Sequence, residues 1–149
     1  TRRSVTAILL FINNTPVRWY SKRQRTVETS TYGAELVAAR IATDMIIEMR
    51  FILCMLGVPV DGPALLLGDN NSVVLNTSVP SSILKKKHHA CAYHRVREAI
   101  AGGIINFVHI KGITNYADML SKPLSNDTFH GLIKPLLFRV PKTGREKEG

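Results

Sequence analysis

The feature that most constrains the fold is a short apolar run, residues 64–68, that stops at a carboxylate, Asp69, and two carboxamides, Asn70 and Asn71. A run of this length, preceded by prolines and ended by a glycine, is typical of a strand buried on both faces. Residues 70–72 are typical of a helix start, because short polar side chains accept hydrogen bonds from free backbone N–H groups. The pattern therefore places Asp69 at the carboxyl end of a strand, where α/β sheets usually bind ligands. A helix-capping role is the simpler interpretation of this acid taken alone.

The length and composition indicate one globular domain. The chain has 149 residues, of which 45% are hydrophobic and 21% are charged, and this is ordinary for a soluble protein with a real core. No segment approaches the roughly 20 apolar residues that span a bilayer, and no secretory signal is evident. The start at Thr1, without a methionine, suggests a piece of something longer. Cys54 and Cys91 are expected to be buried free thiols in a reducing compartment, so we expect an intracellular and not a secreted protein.

The charge is basic and unevenly distributed. The net charge is +9, and residues 1–25 contain six arginines and lysines but no acid. This sign favours a polyanionic partner, nucleic acid before membrane. The candidate nucleic-acid contacts are basic side chains of two segments, namely Arg18, Lys22 and Arg23, and Lys85, Lys86, Lys87 and His88. The second segment precedes a predicted helix, whose free N–H groups also attract phosphate, although a solvated basic loop explains it equally well.

Hydrophobic periodicity and turn residues predict an α/β domain of three layers with a mixed sheet over residues 1–138, followed by a charged, frayed tail at 139–149. A hairpin is predicted from strands 5–11 and 17–21, and a long helix, capped by Ser30 or Thr31, runs to about Leu56. The other predicted elements are strands 64–68 and 104–110 and helices 72–76, 89–101, a short one from 115, and 128–138, which Pro135 kinks or shortens.

The long predicted helix should present one apolar face to the sheet. The side chains expected on that face are Ala34, Val37, Ile41, Met45, Ile52 and Leu56. Glu35 is expected in the first turn, where the helix dipole favours a carboxylate.

Three of the eleven acids follow or begin predicted elements that can meet at one sheet edge. These are Glu35, Asp69 and Asp118. Clustered carboxylates repel one another, so they remain ionised together most easily around a divalent cation. Oxygen ligands favour Mg²⁺ or Mn²⁺ over Zn²⁺, and two such ions can clamp the attacking and leaving oxygens of a phosphodiester. The alternative is three unrelated capping acids.

Several motifs, in order and spacing, resemble the RNase H domain of copia-type LTR retrotransposon polyproteins. They cover about residues 1–125 and comprise residues 2–7, 16–24, 30–36, 68–72, 87–88 with 93–98, and 117–124. The resemblance implies an RNase H-like three-layer fold and hydrolysis of the RNA strand of RNA–DNA hybrids with two Mg²⁺ ions. It also implies that Glu35, Asp69 and Asp118 are three of four metal-binding catalytic carboxylates. Asn70 is either an orienting or 2′-hydroxyl-contacting residue or a helix cap.

The fourth carboxylate of that family lies on its first, central strand, and no acid precedes Glu28 here. We therefore expect the first strand and its aspartate to be missing, and the isolated chain to cleave slowly or not at all. The expected partner is a reverse transcriptase domain of the same polyprotein, in a cytoplasmic virus-like particle or the nucleus. The alternative function is a non-catalytic nucleic-acid-binding remnant. An integrase-like or resolvase-like relative fits the motif at 117–124 less well.

Overall fold

The elements occur in the predicted order in a computed structural model, which describes residues 3–25, 30–84 and 87–137. The strands are β1 (Val5–Ile12), β2 (Thr15–Arg23), β3 (Ala64–Gly68) and β4 (Ile105–His109). The helices are α1 (Thr31–Met55), α2 (Asn71–Ser78), α3 (Ala90–Ala101) and α4 (Asn126–Ile133). Single 3-10 turns span Lys87–His89, Gly112–Thr114, Tyr116–Leu120 and Lys134–Leu136. The predicted tail at 139–149 and the predicted helix end at Phe138 lie outside the described residues.

The hairpin forms as predicted. Strands β1 and β2 pair antiparallel, with Leu9 opposite Trp19, and Asn13 turns the chain with a φ of 54°. Asparagine tolerates this left-handed conformation better than other non-glycine residues. The register buries Ile8 and leaves Trp19 71% exposed, so only one face of the hairpin contributes to the core.

Helix α1 begins where the sequence predicts, but its last turns do not pack against the sheet. The Ser30 hydroxyl accepts a hydrogen bond from the backbone N–H of Gly33 at 3.3 Å, so Ser30 is the cap. The predicted inward face is wrong at the C-terminal end, where Ile52 and Leu56 are exposed. A helix of 25 residues is about 38 Å long, whereas the five residues of β3 span about 17 Å, so the last turns extend past the sheet.

The strands form two separate pairs, and the predicted single mixed sheet is not present among the described residues. The hairpin is one two-stranded sheet, and β3 and β4 form a second, parallel one with Ala64 opposite Ile105. Both sheets contact α1. Within the described part of the chain, β1 and β3 therefore each use one edge for pairing and leave the other without a strand.

The core lies between α1, α3 and one face of the β3–β4 pair. Leu36, Val96 and Ile105 are the most deeply buried large side chains from these elements. Leu66 points into this core, whereas Leu65 and Leu67 are exposed, so the prediction that β3 is buried on both faces is wrong. Side chains alternate along a strand, and the described helices cover only the face that carries Leu66.

Two further expectations concern the thiols and the membrane. Cys54 and Cys91 are free, as predicted, but both are exposed, so the expectation that they are buried is wrong. Cys54 lies in the last turn of α1, which extends past the sheet, and Cys91 is the second residue of α3. In the described ranges, no helix has the length and apolar character needed to cross a bilayer.

Candidate functional site

Three different elements carry the acids singled out from the sequence. Glu35 is the fifth residue of α1, so it lies beyond the first turn where it was expected. Asp69 follows β3 directly, as predicted, and Asp118 lies in the 3-10 turn Tyr116–Leu120. Asp69 is positioned by β3 because Gly68 packs so closely on β4 that a Cβ there would lie 2.8 Å from the Phe107 ring.

Asp69 is tied to the segment that follows β4. The side-chain amide of Asn115 donates to Asp69 Oδ2 at 3.4 Å, and His109 Nε2 lies 3.2 Å from the backbone oxygen of Asp69. Asn115 also caps the turn that carries Asp118, because its Oδ1 accepts from the N–H of Ala117 at 3.1 Å. One asparagine therefore connects Asp69 with the turn of Asp118.

Glu35 and Asp118 face a common cleft. This cavity of about 160 Å³ lies between the start of β1, the first turns of α1 and the turn of Asp118, and Asn115 and Ser121 also line it. Asp69 is not among its lining residues. Ser21 Oγ donates to the backbone oxygen of Leu120 at 2.7 Å, which fastens β2 to the same turn. The cleft is therefore bounded by the hairpin, α1 and the segment after β4.

The three carboxylates act on one another electrostatically. The pKa of Glu35 is raised from 4.5 to about 7, mainly by burial and also by the negative charges of Asp69 and Asp118. The positive charge of Lys122 acts in the opposite direction on the same carboxyl group. Glu35 is thus partly protonated at neutral pH, which is typical of a carboxyl group that is sheltered from water and lies near like charges.

The positive charge beside the acids comes from Lys122, a residue to which the sequence analysis gave no functional role. Its Nζ lies 2.7 Å from Asp118 Oδ2. This hydrogen bond is the main cause that raises the pKa of Lys122, and the charges of Asp118, Asp69 and Glu35 add to it. The signal that predicts the pair is the four-residue spacing between Asp118 and Lys122 in a helical turn.

The acids do not by themselves complete a metal site. Carboxylate and amide oxygens suit Mg²⁺ or Mn²⁺ chemically. In the described part of the chain, however, no three Asp, Glu, His or Cys side chains lie close enough together to hold an ion. The donor set fits a hard cation in its chemistry and not in its present geometry.

The predicted nucleic-acid contacts of the hairpin divide into two kinds. Arg18 pairs with Glu48 at 2.6 Å, so its charge is already balanced by an acid of α1. Lys22 and Arg23 are exposed and lie opposite Thr6 and Val5, which line the cleft. The exposed basic end of β2 therefore runs beside the acids.

The second basic segment is described only in part. Lys85 and Lys86 lie outside the described residues, whereas Lys87 and His88 are exposed in a 3-10 turn before α3. Asn70 caps α2, because its side chain accepts from the N–H of Val73 at 3.3 Å. Of the two roles predicted for Asn70, this geometry supports that of a helix cap.

Arg97, which has no role predicted from the sequence, fixes the loop before this segment. The guanidinium of Arg97 donates to the backbone oxygens of Val79 and Pro80, each at 2.9 Å, and to Ser82 Oγ at 2.8 Å. Tyr93 adds a hydrogen bond from its hydroxyl to the oxygen of Ser82 at 2.9 Å. A charged residue in a helix next to a Pro/Ser loop is the only sequence signal for this contact. Arg97 therefore fixes the loop at residues 79–82.

Three plant transposon proteins are similar to this chain over most of its length. The Retrovirus-related Pol polyprotein from transposon RE1 of Arabidopsis thaliana is 29% identical over 142 residues, and that from transposon RE2 is 26% identical over 139. In both comparisons 93% of this chain is covered. The corresponding polyprotein from transposon TNT 1-94 of Nicotiana tabacum is 27% identical over 128 residues, or 86% of this chain.

The chain spans 10% of the length of each of these curated relatives. No protein-family model matches the chain, and no solved structure matches it. The similarity to three polyproteins thus relates this mixed α/β chain to the Pol polyproteins of plant retrotransposons.

Proposed function

We propose that the chain is an RNase H-type endonuclease domain of a copia-type retrotransposon Pol polyprotein, acting on the RNA strand of RNA–DNA hybrids. The observation that carries this proposal is that Glu35 and Asp118 line one cleft and that Asn115 links Asp69 to the turn of Asp118. The similarity to Pol polyproteins and the exposed basic end of β2 support it. A basic strand beside acids suits a polyanionic substrate, because lysine and arginine offset the repulsion between phosphate and carboxylate.

In this proposal the two sheets are parts of one RNase H-like sheet that lacks its first, central strand. This arrangement is supported by the free edges of β1 and β3, each of which has no second strand partner among the described residues. A strand between them would give the order β2-β1-new strand-β3-β4. It would also pass the cleft lined by Glu35 and Asp118, where a fourth acid belongs. The chain is accordingly impaired in catalysis until such a strand is supplied.

The proposed cofactor is Mg²⁺ or Mn²⁺, and the proposed partner domain is the reverse transcriptase of the same polyprotein. The donors that would hold the metal are Glu35, Asp69 and Asp118, together with an acid from the added strand. Because the described acids do not yet form a three-ligand group, the metal belongs to the completed site. Lys22, Arg23 and Lys87 are the exposed cations proposed to contact the hybrid backbone.

A second function, a non-catalytic nucleic-acid-binding remnant, is favoured by one specific observation. The ammonium group of Lys122 already holds Asp118, which is one of the proposed metal ligands. A protein that had lost its chemistry would retain the basic edge and could keep its acids neutralised in this way.

Cleavage of a labelled RNA–DNA hybrid in Mg²⁺ or Mn²⁺ distinguishes the two functions. The enzyme proposal predicts weak RNA-strand cleavage that Asp69→Asn abolishes. Asp61→Asn is the matched control, because Asp61 is an exposed acid in the loop before β3. Cleavage that is indifferent to Asp69→Asn contradicts the assigned site. Hybrid binding with no cleavage, even after a central strand is supplied, favours the remnant, and robust turnover by the chain alone contradicts its impairment.

A further inference from the structure

The acidic cluster contains a cation from its own chain. Lys122 Nζ contacts Asp118 Oδ2 at 2.7 Å, and the side chain of Asp118 is only 15% exposed, so one partner of this ion pair is sheltered from water. Ion pairs on open surfaces contribute little because water and salt screen both charges. The sheltered acid makes this pair different from the exposed pairs of α1.

The turn itself brings Lys122 back to Asp118. The backbone N–H groups of Ser121 and Lys122 both donate to the backbone oxygen of Asp118, at 3.2 and 3.3 Å. Asn115 caps the start of the same turn through the N–H of Ala117. The lysine stem thus starts from a fixed backbone and does not have to be ordered by a distant contact.

The charge of Lys122 also acts on acids other than Asp118. Asp69 and Glu35 both act electrostatically on Lys122, and Lys122 in turn lowers the pKa of Glu35, against the effects of burial and the two aspartates. Arg18 pairs with Glu48, and Arg40 and Arg95 pair with Asp44, so these cations of neighbouring elements serve other acids. Lys122 therefore contacts one acid of the cluster and acts electrostatically on the other two, whereas no three described acids are close enough together to hold an ion.

We propose that Lys122 is a positioning residue whose ammonium group supplies the counter-charge that holds Asp118 beside Glu35 in their common cleft without metal. A divalent cation that enters the site competes with this group for Asp118. The competition rests on the proposed function, because it assigns Asp118 as a metal ligand. The counter-charge role does not, because it requires only the folded chain.

The counter-charge role is tested in EDTA by a double-mutant cycle of Lys122→Gln and Glu35→Gln, read as urea stability at pH 8. A cluster neutralised by Lys122 predicts that Lys122→Gln is clearly less destabilising when Glu35 is already uncharged. Lys122→Arg should restore most of the stability, since it keeps the charge. Lys134→Gln removes the same charge from an exposed site and should show no such coupling. Equal costs of Lys122→Gln in both backgrounds would overturn the role.

The competition is tested by Mn²⁺ titration of the same proteins, followed by electron paramagnetic resonance. Removing a unit charge next to the ligand predicts roughly three- to tenfold tighter Mn²⁺ binding by Lys122→Gln, and no change for Lys134→Gln. Unchanged or weaker binding by Lys122→Gln overturns the competition. If neither protein binds Mn²⁺ while the coupling to Glu35 persists, the counter-charge role stands and the competition is overturned for this chain.

Discussion

The two small sheets differ in how they are held together. Strands β1 and β2 are neighbours in sequence and are joined by a tight turn at Asn13, so their pairing is local. Strands β3 and β4 are parallel and are joined by a crossover that contains α2 and α3, so their pairing depends on a packed core. The two sheets therefore contribute differently to the site. The hairpin forms one side of the cleft and carries basic residues, whereas the parallel pair positions Asp69, so the position of Asp69 depends on the core.

The largest expected effect is a loss of the core under the parallel pair. Ile105→Ala should lower the free energy of unfolding by about 3 to 4 kcal/mol, because Ile105 is 2% exposed and its removal leaves a cavity. Ile113→Ala is the control, because Ile113 is 79% exposed, and it should cost less than about 0.5 kcal/mol. Urea unfolding followed by circular dichroism measures both. Similar losses of unfolding free energy for the two variants would contradict the dependence of β4 on this core.

The next largest effect is a pH dependence of the free energy of unfolding that is caused by the carboxyl group of Glu35. The pKa of Glu35 is about 7 in the folded chain and 4.5 as an ordinary value, so the folded state holds this proton more tightly. Its stabilising contribution is complete below pH 4.5 and is lost as the pH rises through 7, by on the order of 3 kcal/mol. Glu35→Gln should remove this decline, and chemical unfolding between pH 5 and 8 measures it. Parallel pH profiles of the two proteins would show that the carboxyl group is not perturbed.

A smaller effect tests how the hairpin is fastened to the rest of the chain. The side-chain amide of the buried Gln24 donates to Thr6 Oγ1 and to the backbone oxygen of Ala34, each at 2.9 Å. Gln24→Ala should cost about 1 to 2 kcal/mol, because these buried acceptors lose their donor. The exposed neighbour Lys22 provides the control, since Lys22→Ala should change urea stability little. A cost for Gln24→Ala no larger than that of Lys22→Ala would argue against this fastening.

The smallest effect concerns the basic edge of the hairpin. Lys22→Gln and Arg23→Gln should each weaken hybrid binding a few-fold at moderate salt and lower its salt dependence by about one counterion. Arg18→Gln should weaken it less, because Glu48 already balances Arg18. Fluorescence anisotropy with a labelled hybrid across a salt series measures all three. A larger loss of hybrid affinity for Arg18→Gln than for Lys22→Gln and Arg23→Gln would contradict the assignment of Lys22 and Arg23 as the main contacts of the hairpin.

The sequence predicted those features that depend on local chemistry. The hairpin, the Ser30 cap, the order of the elements and the placement of Asp69 after β3 follow from turn residues, caps and apolar runs. The sequence did not predict side-chain exposure where that exposure depends on packing between distant elements. The exposure of Leu65 and Leu56 depends on which surfaces the other elements cover, and periodicity alone does not contain that information.

The candidate site shows the same division. The acids are visible in the sequence as residues that follow or begin predicted elements. The contact between Lys122 and Asp118 is local in sequence, but its effect on Glu35 and Asp69 arises only after α1 and β3 have packed. The link through Asn115 likewise joins residues 46 positions apart, and no local pattern predicts it.

The most direct test of the account adds a candidate central strand to the chain. The chain is fused to the residues that precede the matched region in the transposon RE1 polyprotein, and single-turnover cleavage of the RNA strand of a hybrid is measured in Mg²⁺. The account predicts at least about a hundredfold faster cleavage than by the chain alone, lost again when Asp69→Asn is introduced. Equal rates with and without the added strand, or cleavage that survives Asp69→Asn, would contradict it.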